Sequence, residues 1–280
     1  MNALEIKQLS KSFPDFQLDH LSLTLPNGCI MGLIGENGAG KSTTIKLILN
    51  LIHKDSGTVT ILGRDNEDHL TLTKENVGVV MDDVGIPDYL TAKQVGKIMR
   101  HTFHNWQDDV YAEYLKKLSI PTDKLFKNLS RGTKMKLGIA VAMSHQPKLL
   151  LLDEATSGLD PVVRDEVVEM LSDFTRDETH SILISSHIVS DLEKLCDYVA
   201  FLHKGKLLLC EEKDRLLEEY GILHCTAEQL HELDADAIRS KKESPYGVEA
   251  LVRREAVPDN FSISPIGIEE LFLFVVKEVR

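Results

Sequence analysis

An apolar run, Cys29-Ile30-Met31-Gly32-Leu33-Ile34, leads into Gly35-Glu36-Asn37-Gly38-Ala39-Gly40-Lys41-Ser42 and then into the helix-like stretch Thr43 to Leu51. Strand, glycine-rich loop and helix, in that order, are what a phosphate-binding P-loop requires. The glycines let backbone N–H groups turn inward around an anion without obstruction by a Cβ. The helix beginning near Lys41 adds its positive N-terminal end. Lys41 can place a point charge on terminal phosphates, and the Ser42 hydroxyl is a hard ligand suited to Mg²⁺.

Alternating strand and helix signals surround this loop. Leu4–Leu9 and Leu21–Leu25 alternate apolar and polar residues and predict antiparallel strands with one wet face. Thr58–Leu62 and Val77–Val80 predict two more strands, separated by turn residues Gly63–Asn66. From Pro87 the spacing becomes helical: Thr91–Phe103, Gln107–Leu118 and Gly132–Ser144 predict an inserted helical lobe at about residues 88–145. Strands and helices then alternate again. The strands are Lys148–Leu152 and Ser181–Ser185, the helices Val162–Phe174 and Ile188–Leu195, and a hairpin follows around Lys204-Gly205. That alternation predicts a largely parallel sheet. Beyond a charged helix at Glu211–Tyr220, two strands (Ile222–Thr226 and Gly247–Arg253) and a helix (Ile268–Val279) predict a small α+β extension over 213–280. Polar stretches at Asp234–Ser244 and Pro258–Pro265 divide them.

Leu149-Leu150-Leu151-Leu152-Asp153-Glu154 is the second strong signal. Four leucines make a buried strand, and two carboxylates emerge at its C-terminal end, where open α/β sheets bind ligands. Asp153 is placed to hold Mg²⁺, and Glu154 to polarise an attacking water as general base.

A formal charge of −12 over 280 residues argues against a nucleic-acid clamp. No secretory signal opens the chain. The apolar runs, such as Leu271–Val276, fall far short of the roughly 20 residues that cross a membrane. We therefore expect a soluble chain whose membrane role passes through a partner. Cys29, Cys196, Cys210 and Cys225 show no CxxC spacing and are expected to be reduced cytosolic thiols.

Several motifs together carry a family resemblance. Leu129-Ser130-Arg131-Gly132-Thr133 resembles the LSGGQ signature of ABC-type ATPases. Asp153-Glu154-Ala155-Thr156-Ser157-Gly158-Leu159-Asp160-Pro161 resembles their Walker B and D-loop, and Ser185-Ser186-His187 their switch histidine. The resemblance covers about residues 1–212. It implies a P-loop ABC cassette with a mainly parallel core sheet, an antiparallel β subdomain and the helical lobe. It implies two ATPs with Mg²⁺ sandwiched head to tail between two such cassettes, from a homodimer or a homologous subunit. Gly35, Asn37, Gly38, Ala39, Gly40, Lys41, Ser42 and Thr43 would bind the phosphates. Ser130 and Gly132 would touch the γ-phosphate bound by Lys41 of the other cassette, Asp160 would also bind nucleotide, and Ser42, Asp82 and Asp153 would hold the metal. Glu154 and His187 would be catalytic, the histidine orienting the water. Phe13 lies where the family places an aromatic that stacks on adenine.

Two residues depart from the family pattern. Met81-Asp82-Asp83 stands where a glutamine is usual, and Arg131 replaces the first signature glycine. The compact helical lobe excludes long coiled-coil relatives. Ser157 to Arg164 and the short extension look like bacterial exporter ATPases. Such proteins sit at the cytoplasmic face of the cell membrane with a separate permease, here docking near Asp82–Tyr89 and the helical lobe. A non-transport ABC ATPase acting as a soluble assembly or regulatory factor is the alternative that these motifs leave open.

Overall fold

The structure, a computed structural model, describes residues 2–67, 74–230, 232–244, 247–258 and 260–278. Strands β1 (Asn2–Phe13) and β2 (Phe16–Pro26) pair antiparallel from Asn2↔Pro26 to Phe13↔Phe16. Leu4, Ile6, Leu21, Leu23 and Leu25 turn to one face and are buried, as the alternation requires. Strand β3 (Ile30–Ile34) ends at the glycine loop and helix α1 (Lys41–Ile48) follows. Strands β4 (Ser56–Ile61) and β5 (Arg64–Asp65) return to the first sheet, whose order is β2-β1-β4-β5. Strand β6 (Val77–Val80) belongs elsewhere, at the edge of the central sheet.

The helical lobe consists of α2 (Ala92–Thr102), α3 (Asp108–Lys117) and α4 (Arg131–Met143). Thr91 caps α2 in a reciprocal box with Gln94, which satisfies two otherwise unpaired backbone donors. The Tyr111 hydroxyl of α3 donates to the Ala92 carbonyl at 2.8 Å, and burial pushes that phenol's pKa up. α4 returns along the sheet edge, with Gly138 facing Val80 and Val84.

Strand β7 (Leu149–Asp153) leads to helix α5 (Pro161–Phe174), β8 (Ser181–Ser186) to α6 (Val189–Leu195), and β9 (Tyr198–His203) to β10 (Lys206–Glu212). The central sheet runs β10-β9-β3-β8-β7-β6, parallel throughout except for β10. All residues of β3, β7 and β8 are buried, because both faces of the sheet are covered. Leu150, Leu152, Ile182 and Ile184 face a core shared with α4, α5 and α6. Leu149, Leu151 and Leu183 face the opposite core, built with α1 and the first sheet. Consecutive leucines of β7 thus serve two cores.

Helix α7 (Lys213–Glu219) leads to a third sheet of β11 (Tyr220–Cys225), β12 (Ile238–Ser244), β13 (Gly247–Arg253) and β14 (Ile263–Ser264), with the short α8 (Ala227–Leu230) between β11 and β12. Its order is β12-β13-β11-β14. The stretch read as a polar divider at 234–244 contains β12, an edge strand whose Lys241, Lys242 and Glu243 face solvent. Helix α9 (Ile268–Glu278) closes the chain; Val279, where the sequence placed the helix end, lies outside the described residues. Its apolar face packs on this chain: Phe272 meets Phe201 of β9 edge-on at 5.3 Å, and Ile268 N–H donates to Glu193 at 3.2 Å.

Cys29, Cys196, Cys210 and Cys225 are all free. Burial raises the Cys196 thiol and pushes Cys210 up to about 11, so both stay protonated and unreactive. Among the described residues no helix is long and apolar enough to cross a membrane.

Candidate functional site

The loop after β3 turns tightly because two of its glycines admit no side chain. At Gly35 a Cβ would strike the Leu202 carbonyl of β9. At Gly40, where φ is 111°, it would stand 2.8 Å from the Phe16 ring. Gly40 is also the residue that opens α1, so the loop delivers its backbone directly to a helix N-terminus.

A cavity of about 570 Å³ lies against this loop. Asn37, Gly38, Gly40, Lys41, Ser42, Thr43, Asp82 and Glu154 border it, as do Asp15 and Phe16. Gly35 and Ala39 are buried beneath the loop rather than in the wall. Phe13, the aromatic expected on adenine, is not in the wall. It stands opposite Phe16 at the tip of the β1–β2 hairpin, 40% exposed, with its ring centre 6.3 Å from that of Phe16. Phe16, its register partner, borders the cavity.

The charged groups converge at the C-terminal ends of β3, β7 and β8. The Lys41 ammonium is buried, donates to the Gly35 and Glu36 carbonyls at 2.8 and 3.2 Å, and lies 3.2 Å from Glu154 Oε1. The other Glu154 oxygen is 2.7 Å from His187 Nδ1. An ionised carboxylate only accepts, so the proton on that ring nitrogen points at Glu154. Glu154 therefore bridges the loop lysine and the histidine. Its backbone has φ 53°, a conformation that costs a non-glycine residue about 1–3 kcal/mol. Ser185 of β8 holds it there, since the Glu154 N–H donates to both the carbonyl and the hydroxyl of Ser185 at 3.1 Å. The same hydroxyl donates to Asp153 Oδ1 at 2.6 Å and fixes that buried carboxylate. Ser185 is a positioning residue that no sequence signal had marked beyond its place before His187.

The remaining expected site residues lie away from this cavity. Ser130 caps α4, its Oγ accepting from the Thr133 N–H at 3.2 Å, and Gly132 in the first turn of α4 faces Val163 of α5. Asp160 caps α5, accepting from the Val163 N–H at 3.1 Å, with Pro161 in the first turn. Lys136 and Glu166 form an ion pair that braces α4 against α5. Asp82 does border the cavity, but its Oδ1 accepts a hydrogen bond from Arg131 at 2.8 Å.

A profile of the ABC transporter family matches residues 18–157. The chain is 35% identical over 218 residues to the ABC transporter ATP-binding protein YtrB of Bacillus subtilis (strain 168), covering 78% of this chain and 74% of that one. It is 36% identical over 193 residues to the bacitracin transport ATP-binding protein BcrA of Bacillus licheniformis, covering 68% of this chain and 63% of that protein. A solved ATP-binding subunit of an ABC transporter superposes with a TM-score of 0.69 at 26% identity, over 76% of this chain and 91% of that one. The chain belongs to the ABC transporter family as one of its ATP-binding proteins, with the ATPase cassette fold of that family.

Proposed function

We propose that this chain is the ATP-hydrolysing motor subunit of a membrane export complex, peripheral on the cytoplasmic face of the membrane and driving a separate permease. The observation that carries the reading is the Glu154 carboxylate, held between Lys41 and His187 at the edge of the phosphate loop. Entering phosphates displace Glu154 from Lys41 and take the ammonium for themselves. Glu154 is then free to accept a proton from an attacking water, with His187 orienting both. Phe16, with Phe13 beyond it, stacks on the base.

Ser42 and Asp153 offer a hydroxyl and a carboxylate, hard oxygens that suit Mg²⁺. They would hold the ion, which neutralises phosphate charge when bound. Asp82 is a weaker candidate ligand, because Arg131 already occupies one of its oxygens.

Ser130, Gly132 and Asp160 stand clear of this chain's own cavity and form the complementary half for a second cassette. In that arrangement the N-terminus of α4 meets phosphate held by the other Lys41. Residues 1–212 form the cassette on this reading, with its helical subdomain at about 88–145, and 213–280 an accessory region.

A second cavity of about 710 Å³ separates the central sheet edge from the helical lobe. Val79, Val84, Ile98, Met99, Phe103 and Val141 line it. Its apolar floor suits a short cytoplasmic helix of the permease. Capture of the chain from a detergent extract tests this. A multi-span membrane protein is expected with the parent chain and is expected to be lost with Ile98→Glu, which leaves nucleotide binding intact. Recovery of soluble partners alone would contradict the transport role.

A further inference from the structure

Asp82 and Arg131, the two departures from the family pattern, are joined in space. Arg131 Nη2 donates to Asp82 Oδ1 at 2.8 Å across 49 positions of sequence. Arg131 is the first residue of α4, adjacent to Ser130, whereas Asp82 follows β6 and borders the nucleotide cavity. The guanidinium also covers Gly158, where an added Cβ would stand 3.1 Å from its Cζ. One side chain therefore touches the rim of its own nucleotide cavity, the loop after β7 and the start of the signature helix. Asp83 and Lys134 line the same depression, so each partner also has a like charge nearby that the pair relieves.

We propose that the Asp82–Arg131 pair is a latch within one cassette. It withholds Arg131 from phosphate bound by a second cassette and opens when the two close. The proposal rests on the shared-site reading above and assigns the regulation of that site. A guanidinium satisfies a carboxylate or a phosphate equally well in geometry, but cannot serve two anions on different molecules at full strength. The pair is exposed, 55% and 57% for the two side chains, so its strength is modest and exchange for a more highly charged phosphate is easy. Asp82 on this account is a counter-ion to Arg131 and not a ligand of magnesium.

The latch makes the two residues opposite in effect, whereas a purely structural cross-link makes them alike. The test uses the full chain carrying Glu154→Gln, with association driven by ATP and Mg²⁺ and followed by light scattering against protein concentration. Asp82→Asn frees Arg131 and lowers the midpoint. An exposed pair is worth up to about fivefold, and two open per dimer, so the fall reaches up to roughly 25-fold. Arg131→Gln removes latch and phosphate contact together and does not lower the midpoint. The double variant behaves as Arg131→Gln. The latch is overturned if Asp82→Asn associates no better than the parent, or if both single variants shift the midpoint the same way. It is also overturned if Asp82→Asn raises the Mg²⁺ needed for a non-hydrolysable analogue to bind the lone cassette. Absence of a nucleotide-driven dimer in every variant, parent included, would overturn the shared site and the latch together.

Discussion

Replacing Glu154 with glutamine separates two jobs of one carboxylate. In the structure Glu154 lies 3.2 Å from the Lys41 ammonium, with side chains 13% and 5% exposed. At an effective dielectric constant near 20, that separation corresponds to about 5 kcal/mol of attraction. Removing one partner of a buried pair costs about 3–5 kcal/mol when the other is stranded. Lys41 is not stranded, because the Gly35 and Glu36 carbonyls remain. We therefore expect the nucleotide-free variant to lose about 3 kcal/mol, at the low end of the buried-pair range. That corresponds to about 2–4 °C of melting temperature per kcal/mol for a chain of this size. Nucleotide binding moves the other way. The incoming phosphates no longer displace a carboxylate from Lys41 or approach its charge, so ATP raises the melting temperature more in the variant than in the parent. Hydrolysis falls by about 10²–10⁴, the contribution of a positioned general base. Thermal melts with and without ATP and Mg²⁺, alongside phosphate release, read all three quantities on one preparation. Phosphate release at the parent rate would refute the assignment of Glu154 as base. An unchanged nucleotide-free melting temperature would refute the ion-pair account.

Two further outcomes follow from particular contacts. Phe16→Ala is expected to weaken ATP binding by about 1–3 kcal/mol, the range for a base stacked on an aromatic, while Phe13→Ala changes it far less; fluorescence titration with a labelled nucleotide distinguishes them, and equal effects would contradict the placement of Phe16. His145 stacks flat on Phe103 with ring centres 4.0 Å apart, and burial holds its pKa below the ordinary 6.5. The unfolded chain therefore takes up a proton that the folded one refuses, so the stabilising contribution is complete above pH 6.5 and is lost as pH falls from there through the folded value. The slope is at most about 1.4 kcal/mol per pH unit. Denaturant titrations of the parent and His145→Phe across that window should show the slope only in the parent, and parallel pH profiles would contradict it.

What could be read in the sequence depended on how local the determinant is. The glycine loop and the leucine strand with its two carboxylates are each specified within a few neighbouring residues, and the structure forms both of those local elements. The helices of the lobe were legible because their apolar spacing is helical. Strand β12 was not, because an edge strand with one wet side carries Lys241, Lys242 and Glu243 and looks like a loop. Strand β6 was readable as a strand but not as a member of the central sheet, since pairing with β7 crosses the whole helical lobe. That Phe16 borders the cavity was not legible either, since its approach to Gly40 joins the hairpin tip to a loop far along the chain. The union of Asp82 with Arg131 is likewise a matter of topology, which composition and spacing do not encode.

The shared nucleotide site is tested most directly by complementation between two inactive chains. Lys41→Ala removes the phosphate lysine, and Ser130→Arg blocks the signature contribution; each alone is expected to hydrolyse no ATP. Mixed, they form pairs in which one site unites an intact Lys41 with an intact Ser130 from the other molecule. Recovery of a fraction of the parent rate on mixing is the result that two half-sites meeting across an interface require. A mixture that stays inactive while mixed pairs demonstrably form would show that each chain works from its own residues alone.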